Sequence, residues 1–87
     1  MGYRSGYGNI TGNNNIFLGL QAGESLTSGN NNIVLGYDID TPTPTSSNTL
    51  NIGNLLFGTA IDGTNTTLSS GNIGIGISNP GQKLTVS

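Results

Sequence analysis

The sequence predicts an all-β fold built from short stacked repeats, and three observations predict it. A glycine returns every 17 residues, at Gly2, Gly19, Gly36 and Gly53. An octapeptide recurs in the same phase: Gly12-Asn13-Asn14-Asn15-Ile16-Phe17-Leu18-Gly19 returns as Gly29-Asn30-Asn31-Asn32-Ile33-Val34-Leu35-Gly36, with seven of eight residues identical. Each repeat also carries two aliphatic residues two positions apart, which places them on one face of an extended strand. A fixed short period signals stacked structural units rather than a globular domain around a central pocket.

Residues 2–53 read as three coils of 17 residues. Gly2-Tyr3-Arg4-Ser5-Gly6 aligns with Gly19-Leu20-Gln21-Ala22-Gly23, and Gly36-Tyr37-Asp38-Ile39-Asp40 follows with the second glycine lost. The third coil is degenerate but in phase, with Asn48-Thr49-Leu50-Asn51-Ile52-Gly53 lying 17 after Asn31 to Gly36. The aliphatic pairs Ile16/Leu18, Ile33/Leu35 and Leu50/Ile52 should therefore form stacked columns, and Ile73/Ile75 repeats the pattern near the end of the chain. Phe17 and Val34 point to the opposite face and are expected to contact neighbouring subunits. Glycine and asparagine are too frequent for a competing helix. Gly2, Gly19, Gly36, Gly53 and Gly76 are the expected coil corners, since glycine tolerates the left-handed conformations that corners need.

Two stretches depart from the period. Within 37–47, the run Thr41-Pro42-Thr43-Pro44-Thr45 forbids regular ladder bonding and predicts an extended surface loop. From Gly53 to Gly76 the spacing stretches to 23 residues, and the extra length holds Leu55-Leu56-Phe57 and the turn Asp62-Gly63-Thr64-Asn65. The pattern resumes at Asn72-Ile73-Gly74-Ile75-Gly76, and a last strand over Lys83-Leu84-Thr85-Val86 follows the breaker Asn79-Pro80-Gly81. The chain thus divides into a repeat region at 1–53 and a β-rich transition segment with a C-terminal strand at 54–87. It opens in mid-repeat at Gly2, which reads as a fragment of something longer.

Composition argues for association. Of 87 residues, 32% are hydrophobic, 6% aromatic and 7% charged, and fifteen are glycine. A lone chain of this size buries a modest fraction of its surface, and its glycines raise the entropy cost of ordering. Disorder is the wrong reading, because disordered chains tend to be charged and lack patterned apolar residues. Several copies sharing one core resolve the conflict, and isolated monomers are expected to be unfolded. With a net charge of −2, and Arg4 and Lys83 as the basic residues, the chain lacks the clustered cations of a nucleic-acid or anionic-membrane surface. There is no cysteine, hence no disulfide framework, and no apolar run of membrane-spanning length.

Sites of chemistry are sparse. The asparagine runs 13–15 and 30–32 could order a polar ligand or ice, but residues in phase with the period are what amide ladders between coils require. Asp38 and Asp40 put two carboxylates on one face of a loop, with Asp62 further on, yet the spaced acidic loop of a calcium motif is absent. With no histidine or cysteine, no serine beside a base and no paired carboxylates beyond Glu24 and an Asp of another subunit, no catalytic role is expected. No cofactor or metal is expected either. Gly71 to Gly76 is glycine-rich, but no helix follows to make a phosphate cradle. Tyr3 and Tyr37 occupy equivalent repeat positions, with Leu20 between, which favours packing over sugar stacking; Tyr7 is the remaining tyrosine. The sequons Asn9-Ile10-Thr11 and Asn65-Thr66-Thr67 are expected by chance in a chain this rich in Asn and Thr.

The repeat Gly-Asn-Asn-Asn-Ile-Phe-Leu-Gly-Leu-Gln-Ala-Gly (12–23) resembles the collagen-free β-structured shafts of bacteriophage tail fibres. The stretch from Gly71 to Val86 resembles a segment that in such fibres often precedes a C-terminal self-cleaving chaperone domain. Heads of trimeric autotransporter adhesins carry similar Asn/Gly/Ile-Gly repeats of shorter period. Both resemblances imply a parallel homotrimer of stacked β-coils about a threefold axis; with the period read above this is a homotrimeric parallel β-solenoid or β-roll of 17-residue coils, with passage into an intertwined β-prism an equal alternative. In such a trimer the aliphatic pairs read from the repeat, Ile16, Leu18, Ile33, Leu35, Leu50, Ile52, Ile73 and Ile75, are the expected shared core. The function they imply is a fibre shaft segment on a virion or at a cell surface, positioning receptor-binding elements for host attachment. Its partners would be its own copies and a host cell-surface glycan or protein, without nucleic acid or membrane insertion. The rival readings are a bacterial surface adhesin head and an ice-binding solenoid, whose flat threonine row is not matched by Thr41–Thr45 and Thr64–Thr67.

Overall fold

Short segments with aliphatic residues at alternate positions, separated by turns rich in glycine and asparagine, yield strands of three residues, and six strands form one sheet in chain order. They are β1 (Ile16–Leu18), β2 (Ile33–Leu35), β3 (Leu50–Ile52), β4 (Leu56–Gly58), β5 (Ile73–Ile75) and β6 (Leu84–Val86). The computed structural model describes residues 1–9 and 11–87. Ile10, the middle residue of the first sequon, lies outside the described residues. Among the described residues there is no helix, and the sheet does not close on itself.

The first three strands are parallel and in the register of the sequence repeat. Ile16 pairs with Ile33 and Ile33 with Leu50; Leu18 pairs with Leu35 and Leu35 with Ile52. The arms outside the strands are laddered too: the Gln21 amide donates to the Tyr3 carbonyl at 2.7 Å and the Asp38 amide to the Leu20 carbonyl at 2.8 Å. At the corner between strand and arm, Gly19 has φ +125° and lies against the Gly36 carbonyl oxygen, where a Cβ would collide with backbone.

Parallel stacking then stops. β4 pairs antiparallel with both β3 and β5, and β5 with β6 is parallel again. An uninterrupted parallel stack is therefore not what the chain forms. The cause is local: Gly53 and Asn54 both have positive φ (62° and 55°), and the Leu55 amide donates to the Ile52 carbonyl at 3.1 Å. Two consecutive left-handed residues are what a primed hairpin turn takes, and such a turn reverses the strand. A Cβ at Gly53 meets nothing within 4 Å. Gly53→Ala should therefore carry only the conformational cost, about 1–2 kcal/mol. Gly53→Asn should cost less, as chemical denaturation of the two variants would show.

The interior enclosed by one copy is small. Ala22, Leu26, Val34 and Ile39 are buried, and Phe17 packs against the cluster of Ala22, Val34 and Ile39. Phe17 and Val34, expected to reach neighbouring subunits, instead face the arms of their own chain, and Val34 is fully buried there. Gly6 and Gly23 lie directly against the Phe17 ring, which leaves no space for a side chain at either. In the next repeat the ring is replaced by Val34, and the corresponding position is Asp40 rather than glycine. Asn51 continues this inner column and is buried, its Nδ2 donating to the Asp40 carbonyl (2.7 Å) and Asn54 Oδ1 (2.8 Å).

Candidate functional site

The sheet has two unlike faces. Phe17, Val34, Asn51 and Phe57 stand in register on the face covered by the arms. On the other face two columns run the length of the sheet. One holds Ile16, Ile33, Leu50, Gly58, Ile73 and Leu84; the other holds Leu18, Leu35, Ile52, Leu56, Ile75 and Val86. Eleven of these twelve positions are aliphatic and none is charged.

This aliphatic face has no cover. Ile16, Leu18, Ile73, Ile75, Leu84 and Val86 are 36 to 67% exposed, and Ile33, Leu35, Leu50, Ile52 and Leu56 are half-buried. The eight residues expected to form a shared core all lie here, and one copy encloses none of them. Together with Leu56, Leu84 and Val86 they form one continuous aliphatic patch along the sheet, of the kind that marks an interaction surface. The reason is geometric. Alternation in a strand sends residues i and i+2 to one face, and the arms of each repeat fold back over the other.

The asparagines hold the repeats in register. Asn15 Oδ1 accepts from the Asn32 amide (2.9 Å) and from Asn32 Nδ2 (3.0 Å), and Asn32 Oδ1 accepts from the Thr49 amide (2.9 Å). A second, outer series runs from the Asn13 amide to Asn30 Oδ1 (2.7 Å) and from the Asn30 amide to Ser47 Oγ (2.9 Å). Each bond spans one sequence period. The side chains of Asn15, Asn30 and Asn32 are internal ladders, with polar atoms directed at neighbouring repeats.

The remaining polar candidates do not converge. Asp38 and Asp40 line a cleft of about 390 Å³ with Asn51, Asn54 and Phe57, and Asp40 Oδ1 accepts from the Ser25 amide at 2.8 Å. Among the described residues no three His, Cys, Asp or Glu side chains come together as a metal site would need. Glu24 is taken up locally, its Oε2 lying 2.5 Å from Arg4 Nε at an angle outside a hydrogen bond. The Arg4 guanidinium also covers the Tyr7 ring at 4.5 Å. Tyr3 and Tyr37, for which packing was expected, are exposed in the single copy. No helix of the described residues is long and apolar enough to cross a membrane.

Asp62 pins the base of the 62–70 arm. The Ser70 amide and hydroxyl donate to its two oxygens at 2.8 and 2.7 Å, and these bonds hold its carboxyl below the usual aspartate range. The charged form is the one the fold favours. Its contribution is therefore present above the ordinary aspartate value and is lost as pH falls through the lower folded value. An NMR titration should place the Asp62 midpoint below that of a free aspartate. Ser70→Ala should raise it, and the Ser70 amide should exchange faster once the carboxylate is protonated.

Comparison with protein-family models, with curated proteins and with solved structures gives no match for this chain.

Proposed function

We propose that this chain is a structural segment of an elongated homotrimeric β-fibre of the phage tail-fibre kind, a stiff spacer that positions receptor-binding elements for host attachment. The observation that carries this reading is the uncovered aliphatic face. Over β1 to β3 it is built from the periodic residues themselves, and it runs the full length of the sheet and is uncharged. In the proposed assembly the stretch 2–53 is a β-solenoid of 17-residue coils, and three copies turn their aliphatic columns toward a common axis. Burying one Ile or Leu contributes about 1.5–3 kcal/mol, so columns of them supply what the small interior of one copy cannot. Three linked copies would also present whatever follows them multivalently.

Sedimentation equilibrium, combined with dilution-dependent loss of β signal by circular dichroism, tests the assembly. The expected result is a mass of three chains and unfolding coupled to dissociation. A folded single chain at micromolar concentration would remove the reading. Electron microscopy of the assembled material should show rods; compact particles would count against a shaft.

A further inference from the structure

We infer that the arm joining β4 to β5, residues 62–70, is a clasp that closes over a second copy of this chain. This rests on the assembly proposed above and adds the element that would lock it. The arm is fixed at its base: Asp62 holds Ser70, the Gly63 amide donates to Ser69 Oγ (2.8 Å), and Lys83 Nζ donates to the carbonyls of Ser69 (3.4 Å) and Gly71 (2.8 Å). Farther out, the Thr67 amide closes a turn onto the Thr64 carbonyl at 2.8 Å. On this braced arm Leu68 is 89% exposed. A leucine held out on a pre-ordered loop loses little further entropy when a partner covers it.

Beside Leu68 lies a groove of about 510 Å³, lined by Thr59, Ile61, Asn72, Ile73 and the stem of Lys83. It is continuous with the aliphatic face. Gly58 stands in register between Leu50 and Ile73, and Ile61 Cγ2 lies 3.4 Å from where a Cβ of Gly58 would point. Ile73 belongs to both, so a surface that covers the face at β5 reaches the rim of the groove. Two observations make that covering surface a second copy. The face is one aliphatic patch that crosses all six strands, and a second copy presents the same columns at the same strand spacing. The one charged group lining the groove, Lys83, has its Nζ drawn to the carbonyls of Ser69 and Gly71, which leaves Ile61, Leu68 and Ile73 as the surface to be matched. The aliphatic columns of another copy match such a surface.

The chain has no cysteine, so Leu68→Cys introduces a single thiol. Its labelling rate by a maleimide should fall about tenfold or more between the urea-unfolded chain and the assembled one. An assembled chain whose thiol reacts as in urea would overturn the clasp and leave the trimer standing. A chain that sediments as one copy with the natural Leu68 would overturn both. A second variant, Leu68→Ser, changes nothing enclosed by its own copy and should raise the dissociation midpoint about tenfold or more. An unchanged midpoint would also overturn the clasp.

Discussion

In the proposed assembly a chain carrying Leu18→Asp should no longer associate, and it should sediment as a single unfolded copy at concentrations where the natural chain is expected to sediment as three. Leu18 is 47% exposed in one copy, on the aliphatic face beside Leu35. If that face met solvent in the working protein, an aspartate there would be a surface substitution, within about 0.5 kcal/mol of neutral. In the proposed trimer the same substitution brings three carboxylates toward one axis, away from water. Counter-charge is scarce: Arg4 is taken by Glu24, and Lys83 is held by the Ser69 and Gly71 carbonyls. A buried carboxylate without a partner costs several kcal/mol or takes up a proton. The variant should therefore regain assembly at acid pH, as the carboxyl is neutralised. Sedimentation velocity across a pH series reads both effects. Thr45→Asp, on an exposed polar loop, is the control and should leave assembly unchanged.

Most strands and the register of the first three were legible because glycine and asparagine set off short segments whose aliphatic residues alternate. β1, β2, β3 and β5 fall on the pairs read from the period, and β6 on Leu84–Val86 within the expected 83–86 strand. The direction of the sheet was harder to read. The dipeptide Gly53-Asn54 between aliphatic residues is a hairpin signal, but it coincides with the periodic glycine, and the period conceals it. β4 was therefore missed. Which apolar face one copy encloses was not legible either, since Phe17/Val34 and Ile16/Leu18 look alike as patterns. What decides is the arm: Ala22 and Ile39 recur at one repeat position and fold over Phe17 and Val34, and Gly6 and Gly23 make space for the ring. Leu26 is fully buried but has Asn9 and Thr43 as its repeat equivalents, so no periodic signal marks it.

Replacing Asn32 by leucine should cost about 3 kcal/mol or more, although leucine has nearly the same length and is more apolar. Asn32 is fully buried and uses both ends of its amide. Nδ2 donates to the Ser46 carbonyl at 2.7 Å and to Asn15 Oδ1 at 3.0 Å, and Oδ1 accepts from the Thr49 amide at 2.9 Å. Leucine removes all three bonds and leaves the Thr49 N–H and the Ser46 carbonyl without these partners, at about 1–3 kcal/mol for each buried group. Aspartate at the same position keeps the acceptor for Thr49. It turns the donor into a second oxygen facing Asn15 Oδ1 and the Ser46 carbonyl, so Asn32→Asp should be at least as damaging at neutral pH and should recover in part when protonated. Asn13→Ala is the comparison. Asn13 is exposed, its side-chain Nδ2 reaches only the Thr11 carbonyl at 3.5 Å, and its ladder bond to Asn30 Oδ1 comes from the backbone amide, which alanine keeps. Its loss should stay within about 0.5 kcal/mol. Denaturant midpoints at one fixed chain concentration rank the variants, and amide exchange at Thr49 separates a broken ladder from a general loosening. If leucine matched the natural chain in both measurements, the asparagine columns would not be what sets the repeats in register.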